Sequence, residues 1–407
     1  MSKKFLLIIG IIIIIGIAAF LVLSSGDSNG EGENRVGFSI RDYFPFGKNE
    51  DSLPTGQSTS TNTSEEEPVI PKGESNSPVP RLRKISNEPV AGAVIYNVGT
   101  TSFVRFVEKG TGNVYEARGD RNTVQRLTNT TIPKVVVAEW LPDASGFLAQ
   151  TVDIASDFIE TSFVKLSKNS SLSENAPLYT TTISNLPTSI EGLTISPDSK
   201  KIFYYIRGSS SFWFVANPDG TNRKNIYSSP LLEVTPKRLD NKTLFIHTKP
   251  ALGAQTFAYK FDTETKKLTK ASVSGFGLSF NPNSDKVLVS NGGFSTSVID
   301  NKLNSVSLNT NTLAEKCVWS GVYLYCAIPE GNISGYMDSW YKGSVSTTDN
   351  IRMIDTENIF YKNVASLSTE AGEEIDVENM SISKDGSHLI FRNKKDGFLW
   401  MLRVETQ

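Results

Sequence analysis

The stretch Ile195-Ser196-Pro197-Asp198-Ser199-Lys200-Lys201-Ile202-Phe203 contains the pattern on which the fold prediction depends. An apolar residue leads into a turn that contains proline and aspartate, and an apolar pair follows four and five residues after the aspartate. Aspartate suits such a turn because its carboxylate can accept hydrogen bonds from the backbone amides that follow it. The stretch therefore predicts a β-strand, a tight turn and a strongly apolar second strand.

The same spacing between a turn residue and an apolar pair recurs along the chain. Clear copies are Trp140–Asp143 with Phe147-Leu148, Phe280–Asn283 with Val287-Leu288, and Ile382–Asp385 with Leu389-Ile390. Asp240 with Leu244-Phe245 is a degenerate copy, Trp319–Tyr325 is a copy without the aspartate, and Val94–Arg118 is a weak first copy. From residue 143 onward, consecutive copies are 37 to 65 residues apart, which is typical of four-stranded propeller blades with insertions.

From Arg81 onward, short alternating strands rich in β-branched and aromatic residues predominate, without a helical periodicity of useful length. The repeats predict an all-β domain over residues 81–407, a seven-bladed β-propeller. The Ser-Pro-Asp turn, together with Asn217-Pro218-Asp219-Gly220-Thr221 between later strands, resembles the TolB-like, WD-related propeller repeats of bacterial envelope proteins. This resemblance covers about residues 81–405. It implies a fold rather than a reaction.

The last blade is one strand short, because the chain stops at Gln407 soon after the strand predicted at Phe398–Val404. An open ring would expose unpaired strand edges. We therefore expect Arg81–Ser86, which lies just before the first blade, to pair beside Phe398–Val404 as the outermost strand of the last blade.

The N-terminal region contains an uncharged apolar run at residues 5–23, preceded by Lys3 and Lys4 and followed by acidic residues. About 20 helical residues cross a bilayer, and the positive residues favour a cytoplasmic N-terminus. The prediction is a cytoplasmic tail at residues 1–4, a single transmembrane helix at 5–23 and a propeller on the extracytoplasmic side. A cleaved signal peptide is the alternative, although its apolar part is usually shorter, about 7–15 residues.

Residues 24–80 form a polar juxtamembrane segment and linker, with serine, threonine, proline and glycine prominent at 49–80. Such a composition cannot bury enough apolar surface to fold and predicts a flexible tether. Within it, Phe38–Gly47 is rich in aromatic residues. This segment could sit in the membrane interface, dock on a partner or have no role.

Cys317 and Cys326 are the two cysteines of the chain, and they flank a hairpin predicted to turn at Gly321-Val322. In that hairpin they lie directly opposite each other, where Cβ atoms are ~4.5–5.5 Å apart. We expect a disulfide in an oxidising compartment; two reduced, packed thiols are the alternative. Without a nearby histidine, the pair cannot complete the four ligands of a zinc site.

Composition and motifs favour binding over catalysis. With 41 basic and 43 acidic residues, the chain shows no cationic footprint for nucleic acid. There is no Gly-x-Ser-x-Gly elbow, phosphate-binding loop or metal-ligand spacing, so no cofactor and no metal are expected. His247 and His388 both flank apolar strand residues and are read as strand residues.

An insertion in the sixth repeat, Gly331–Gly343 continuing to Asp349-Asn350, is the predicted binding loop. Loops on rigid scaffolds often carry function, and exposed aromatic residues are enriched at protein interfaces. The candidate binding residues are Tyr336, Trp340, Tyr341, Lys342 and Asp349. Alternatively, Trp340 and Tyr341 cover a blade edge or the central channel.

Two functions follow as hypotheses. The first is a membrane-tethered, non-enzymatic interaction or scaffold module that binds another protein of the cell envelope. The alternative is a propeller that binds or cleaves cell-wall carbohydrate. Acidic side chains converging at the channel mouth beside Trp340 would support the alternative.

Overall fold

A computed structural model of the chain describes residues 78–153, 158–170, 176–271, 274–292, 295–331 and 335–404. The predicted anchor, the aromatic segment and nearly all of the linker lie outside these residues. Among the helices of the described ranges, none combines the length and the apolar character needed to cross a bilayer.

Seven four-stranded antiparallel sheets make up the described part of the chain and confirm the predicted seven-bladed β-propeller. Blade one contains β2 (Val90–Val98), β3 (Thr101–Glu108), β4 (Val114–Arg118) and β5 (Val124–Arg126). Blade two contains β6 (Val135–Trp140), β7 (Gly146–Asp153), β8 (Phe158–Lys168) and β9 (Tyr179–Asn185). Blade three contains β10 (Ile190–Ile195), β11 (Ile202–Arg207), β12 (Ser211–Ala216) and β13 (Lys224–Ser229).

Blade four contains β14 (Val234–Arg238), β15 (Thr243–Thr248), β17 (Ala258–Asp262) and β18 (Leu268–Lys270). Two short strands, β16 (Gln255–Thr256) and β19 (Gly275–Phe276), pair beside it. Blade five contains β20 (Ser279–Pro282), β21 (Lys286–Ser290), β22 (Ser295–Asp300) and β23 (Ser305–Asn311).

Blade six contains β24 (Cys317–Ser320), β25 (Tyr323–Pro329), β26 (Asp349–Asp355) and β27 (Phe360–Ser366). Blade seven contains β28 (Val377–Ile382), β29 (His388–Asn393), β30 (Leu399–Arg403) and β1 (Leu82–Lys84). Two five-residue helices, α1 (Met337–Tyr341) and α2 (Leu367–Ala371), lie in and after blade six.

The first strands of neighbouring blades contact each other, for example β2 with β6, β10 with β14 and β24 with β28. They are therefore the inner strands of the ring. Hydrophobic clusters fill the spaces between neighbouring blades. Alternate residues of one strand point to opposite faces of its sheet and so pack against the blade on either side. On β25, Leu324 and Cys326 pack towards blade five, whereas Tyr325 and Ala327 pack towards blade seven.

The repeated aspartate and asparagine residues form the turns between the first and second strands, as predicted. Their side-chain oxygens accept hydrogen bonds from backbone amides two or three residues later, with N···O distances of 2.6–3.1 Å. The five residues that do so are Asp143, Asp198, Asp240, Asn283 and Asp385. The four carboxylates and the Asn283 amide oxygen are occupied in holding turns.

The predicted ring closure is confirmed. Strand β1 pairs antiparallel with β30, with Leu82 opposite Leu402. The backbone amide of Ile85 donates to Leu399 at 2.8 Å, which extends the pairing beyond the strand. Ile85 then packs with Val104 and Ile390 in the cluster that joins blades seven and one.

The hairpin around Gly321-Val322 also has the predicted register, with Cys317 opposite Cys326. In the structure, the two sulfur atoms are bonded. Both histidines lie on strands: His247 is buried among Phe245 and Phe280, and His388 begins β29 half-buried.

Candidate functional site

A cleft of about 450 Å³ opens between blades six and seven, at the end of the ring that carries the first-to-second-strand turns. This volume lies within the range of ~300–1,000 Å³ that is usual for ligand sites. Blade six contributes Ser320, Tyr323, Tyr325, Met353, Asp355, Phe360 and Lys362, and blade seven contributes Arg81, Asp385, Gly386 and Val404, among others.

Strand register explains why the blade-six residues share one wall. Tyr323 lies opposite Asp355, and Asp355 lies opposite Phe360, so these side chains form one row across three strands. A second row, two residues further along, consists of Tyr325, Met353 and Lys362. Because side chains two residues apart on a strand point to the same face, both rows face blade seven.

The rings at the two ends of the first row are accessible. Tyr323 is 41% exposed and Phe360 is 54% exposed. Further from the turns, the same interface is closed by packed side chains, including Leu389 and Trp400 of blade seven. Gly386, at φ 73°, lies in the turn of blade seven that faces Ser320, and a Cβ atom there would be 3.9 Å from the Ser320 hydroxyl.

Arg81 forms the outer part of the blade-seven wall. A β-bulge in the pairing of β26 and β27 leaves Val364 without a partner residue, and its carbonyl accepts a hydrogen bond from the Arg81 guanidinium. The same guanidinium donates to both oxygens of Glu370 in α2, at 2.9 and 2.8 Å. The residue that begins the closing segment thus also fixes the outer strand of blade six.

The two carboxylates of the cleft already have hydrogen-bond partners. The Asn358 side-chain amide and two backbone amides hold the pKa of Asp355 below its usual range. Burial tends to raise the pKa of Asp385, but hydrogen bonds from Ser383 and Ser387 outweigh it, so that pKa is also lowered. Lys362, by contrast, has no ion pair or side-chain hydrogen bond to any residue that the structure describes.

The cleft can therefore bind an extended molecule by contact with aromatic rings and by one available positive charge. Within the described ranges, no group of three or more His, Cys, Asp or Glu residues is arranged to hold a metal ion.

The insertion of blade six lies at the opposite end of the ring, since it connects the second strand to the third. It is held from several sides: the Asp338 carboxylate accepts from the Leu252 amide of blade four at 2.9 Å. The Lys394 ammonium group of blade seven lies 3.7 Å above the Trp340 ring centroid. The insertion thus ties loops of several blades together.

The sequence-predicted binding residues separate into two groups. Trp340 and Asp349 are 6% and 0% exposed, and the Tyr341 hydroxyl lies inside, beside the Glu315 carboxylate. Tyr336 is 44% exposed, and Lys342 is also at the surface. Binding by these residues stays a prediction, but the buried ones have structural contacts.

Asp349 belongs to a buried ionic cluster that sequence reasoning missed. The Lys316 ammonium group donates to Asp349 and Asp376 at 2.6 Å each, and all three side chains are fully buried. Thr347 and the Trp340 indole donate to the Asp376 carboxylate as well. Burial raises the pKa of Asp349, whereas Lys316 and these donors outweigh burial at Asp376 and lower its pKa.

The cleft was also not among the predicted sites, although one signal in the repeat points to it. In blade six, the residue directly before the apolar pair is Tyr323. At the corresponding position the other recognisable copies carry glycine or a polar residue: Gly146, Lys201, Thr243, Lys286 and His388. The exposed tyrosine ring at this position, next to the turn, is therefore the feature of the repeat that could have indicated a binding site.

No family model matches the sequence, and no curated protein matches it. Solved structures do. The oligogalacturonate lyase from Vibrio parahaemolyticus is 9% identical with a TM-score of 0.51, over 78% of this chain and 90% of that one. The β-propeller domain of the Trilobed protease from Pyrococcus furiosus, which has an open velcro topology, is 10% identical with a TM-score of 0.50, over 79% and 97%.

TolB from Acinetobacter baumannii is 14% identical with a TM-score of 0.41, and the match covers 68% of this chain and 64% of TolB. This chain therefore spans less than two thirds of the length of TolB. At such identities the similarity concerns the fold alone. The chain is a seven-bladed β-propeller, and its fold is similar to that of the Vibrio parahaemolyticus lyase and of the Pyrococcus furiosus propeller domain.

Proposed function

We propose that this chain is a membrane-tethered, extracytoplasmic propeller that binds another protein of the cell envelope in the cleft between blades six and seven. The observation that carries the proposal is the row of Tyr323, Asp355 and Phe360, which presents two accessible rings on a rigid wall. Aromatic residues held on such a scaffold are typical anchors of protein interfaces. The apolar run at residues 5–23 would supply the tether.

The same cleft supports binding better than carbohydrate cleavage. Glycoside hydrolysis uses a pair of carboxyl groups, one of which is an acid with a raised pKa. In Asp355 and Asp385 the pKa is lowered, and both side chains hold turns. Neither carboxyl group is therefore suited to donate a proton to a leaving group near neutral pH.

Site-specific photocrosslinking in native membranes tests the proposal. A photoreactive residue at Asn363, which is exposed at the cleft, should give a discrete crosslinked species. The matched control position is Asn225, exposed on β13 in blade three. Tyr323→Ala with Phe360→Ser should abolish the Asn363 product without lowering the melting temperature by more than a few degrees. Identical products from both positions, or a product that survives protease digestion as a glycan adduct, would refute protein binding in the cleft.

A further inference from the structure

We infer that the occupant of this cleft is an extended peptide segment in which an apolar or aromatic side chain lies within three residues of an aspartate or glutamate that pairs with Lys362. The inference rests on the proposed function and specifies the chemistry of the partner.

The size of the wall sets the length of the segment. Neighbouring strands are about 4.8 Å apart, so the row from Tyr323 to Phe360, which crosses β25, β26 and β27, extends about 10 Å. An extended chain advances about 3.3 Å per residue. Three or four residues therefore run from the inner ring to the outer ring of the row.

The charges of the cleft decide the sign of the partner. Asp355, Asp385 and Arg81 are satisfied by hydrogen bonds or an ion pair within this chain. Lys362, two residues from Phe360 on β27, is half-buried and has no such contact to the described residues. A carboxylate of the partner that lies beside Phe360 can therefore pair with Lys362. A cationic side chain of the partner, by contrast, would meet only the Asp355 and Asp385 carboxylates, which already accept hydrogen bonds within this chain.

The same inventory favours a peptide over an oligosaccharide. Sugar hydroxyl groups need many hydrogen-bond partners, and burying one without a partner is unfavourable. Because the cleft carboxylates already accept several hydrogen bonds each, they offer few positions to hydroxyl groups. Apolar side chains need contact area instead, which Tyr323, Met353 and Phe360 provide.

The carboxylate should come from a side chain rather than from a chain end. Phe360 and Lys362 lie on the outer strand of the blade, so a partner segment that enters from outside the ring passes them first. Its remaining residues would then continue inwards along the row to Tyr323. The residue beside Lys362 is therefore internal to the partner chain.

The test is a selection of peptides that bind the full chain in detergent micelles. The displayed library contains random eight-residue peptides, which are fused internally so that they have no free C-terminus. Peptides that also bind the Tyr323→Ala variant are discarded. The selected sequences should share an aromatic or large aliphatic residue with an Asp or Glu within three positions. For a synthetic selected peptide, Lys362→Gln should raise Kd about fivefold to tenfold, Lys362→Arg should largely restore binding, and Lys267→Gln, an exposed control in blade four, should have no effect.

Selected peptides without a shared carboxylate, or equal affinity for the wild type and Lys362→Gln, would overturn this inference while the Asn363 crosslink still supported protein binding. Failure of both the selection and the crosslink would overturn the proposed function as well. Binding that requires a free peptide C-terminus, tested with C-terminally amidated and free peptides, would refute the side-chain assignment.

Discussion

Removal of the closing strand β1 should open the ring at the interface between blades seven and one. Two truncations differ only in this feature. Deleting residues 1–78 leaves every described strand in place, whereas deleting residues 1–88 removes β1 together with Ile85 and Ser86.

The expected loss can be worked out from the contacts that disappear. Leu82 and Ile85 are 8% and 4% exposed, and burying such side chains stabilises by ~1.5–3 kcal/mol each. Hydrogen bonds from the amides of Ile85, Leu399 and Arg403, at 2.7–2.8 Å, are lost as well, and each contributes about 1 kcal/mol. The sum is about 6–9 kcal/mol, as large as the net stability of many domains.

Thermal unfolding followed by circular dichroism measures this effect. The 1–78 deletion should melt at the temperature of the full chain, and the 1–88 deletion should melt roughly 10 °C or more below it. In the protein that lacks residues 1–78, Leu82→Ala alone should lower the free energy of unfolding by about 2–5 kcal/mol. Equal melting temperatures for the two truncations would show that the ring does not depend on β1.

Four further predictions follow from the described contacts and from the sequence. Burial lowers the pKa of His247 to about 4, so the unfolded chain binds the extra proton between about pH 6.5 and 4; stability should fall by about 3 kcal/mol as pH drops through that window, and urea titrations of His247→Gln should lack this slope. Lys316→Met leaves two carboxylates buried without their cation and should destabilise by about 3–5 kcal/mol, with a smaller loss in Lys316→Met/Asp349→Asn; equal losses would contradict the cluster's role. Non-reducing mass spectrometry should recover Cys317 and Cys326 in one crosslinked peptide, and free thiols in protein from the native envelope would contradict this. Protease added to spheroplasts should cleave within residues 49–80, and complete protection there would exclude the predicted topology.

The parts of the fold that were predictable depend on local chemistry. Asp198 and Asp385 form turns by bonding amides two residues away, so their role is visible in a short stretch of sequence. The closing strand was also predictable, because a blade that lacks one strand needs another from elsewhere in the chain. Blade count followed from the repeat, although blade one matches it only weakly.

The cleft and the ionic cluster were not predictable, because they depend on pairing between distant residues. Tyr323 and Phe360 share a row only through β26, and Lys316 meets Asp376 from 60 residues away. The repeat marks Tyr323 as an unusual residue for its position, but it does not show whether the ring faces a cleft or covers apolar surface. Likewise, Trp340 has the composition of a binding residue, but its indole N–H is committed to Asp376.

Closure by β1 also determines the order in which the ring is completed during synthesis. Leu82 and its partner Leu402 are separated by 320 residues, and a ribosome adding about 5–20 residues per second needs roughly 15–60 seconds to cover that distance. Throughout that interval the first strand made has no partner, and the face of blade one that carries Val104 and Phe106 is uncovered. The nascent propeller is therefore an open arc with an exposed apolar surface at one end. A chain interrupted before residue 399 should present the same surface to chaperones and proteases as a chain that has lost its closing strand.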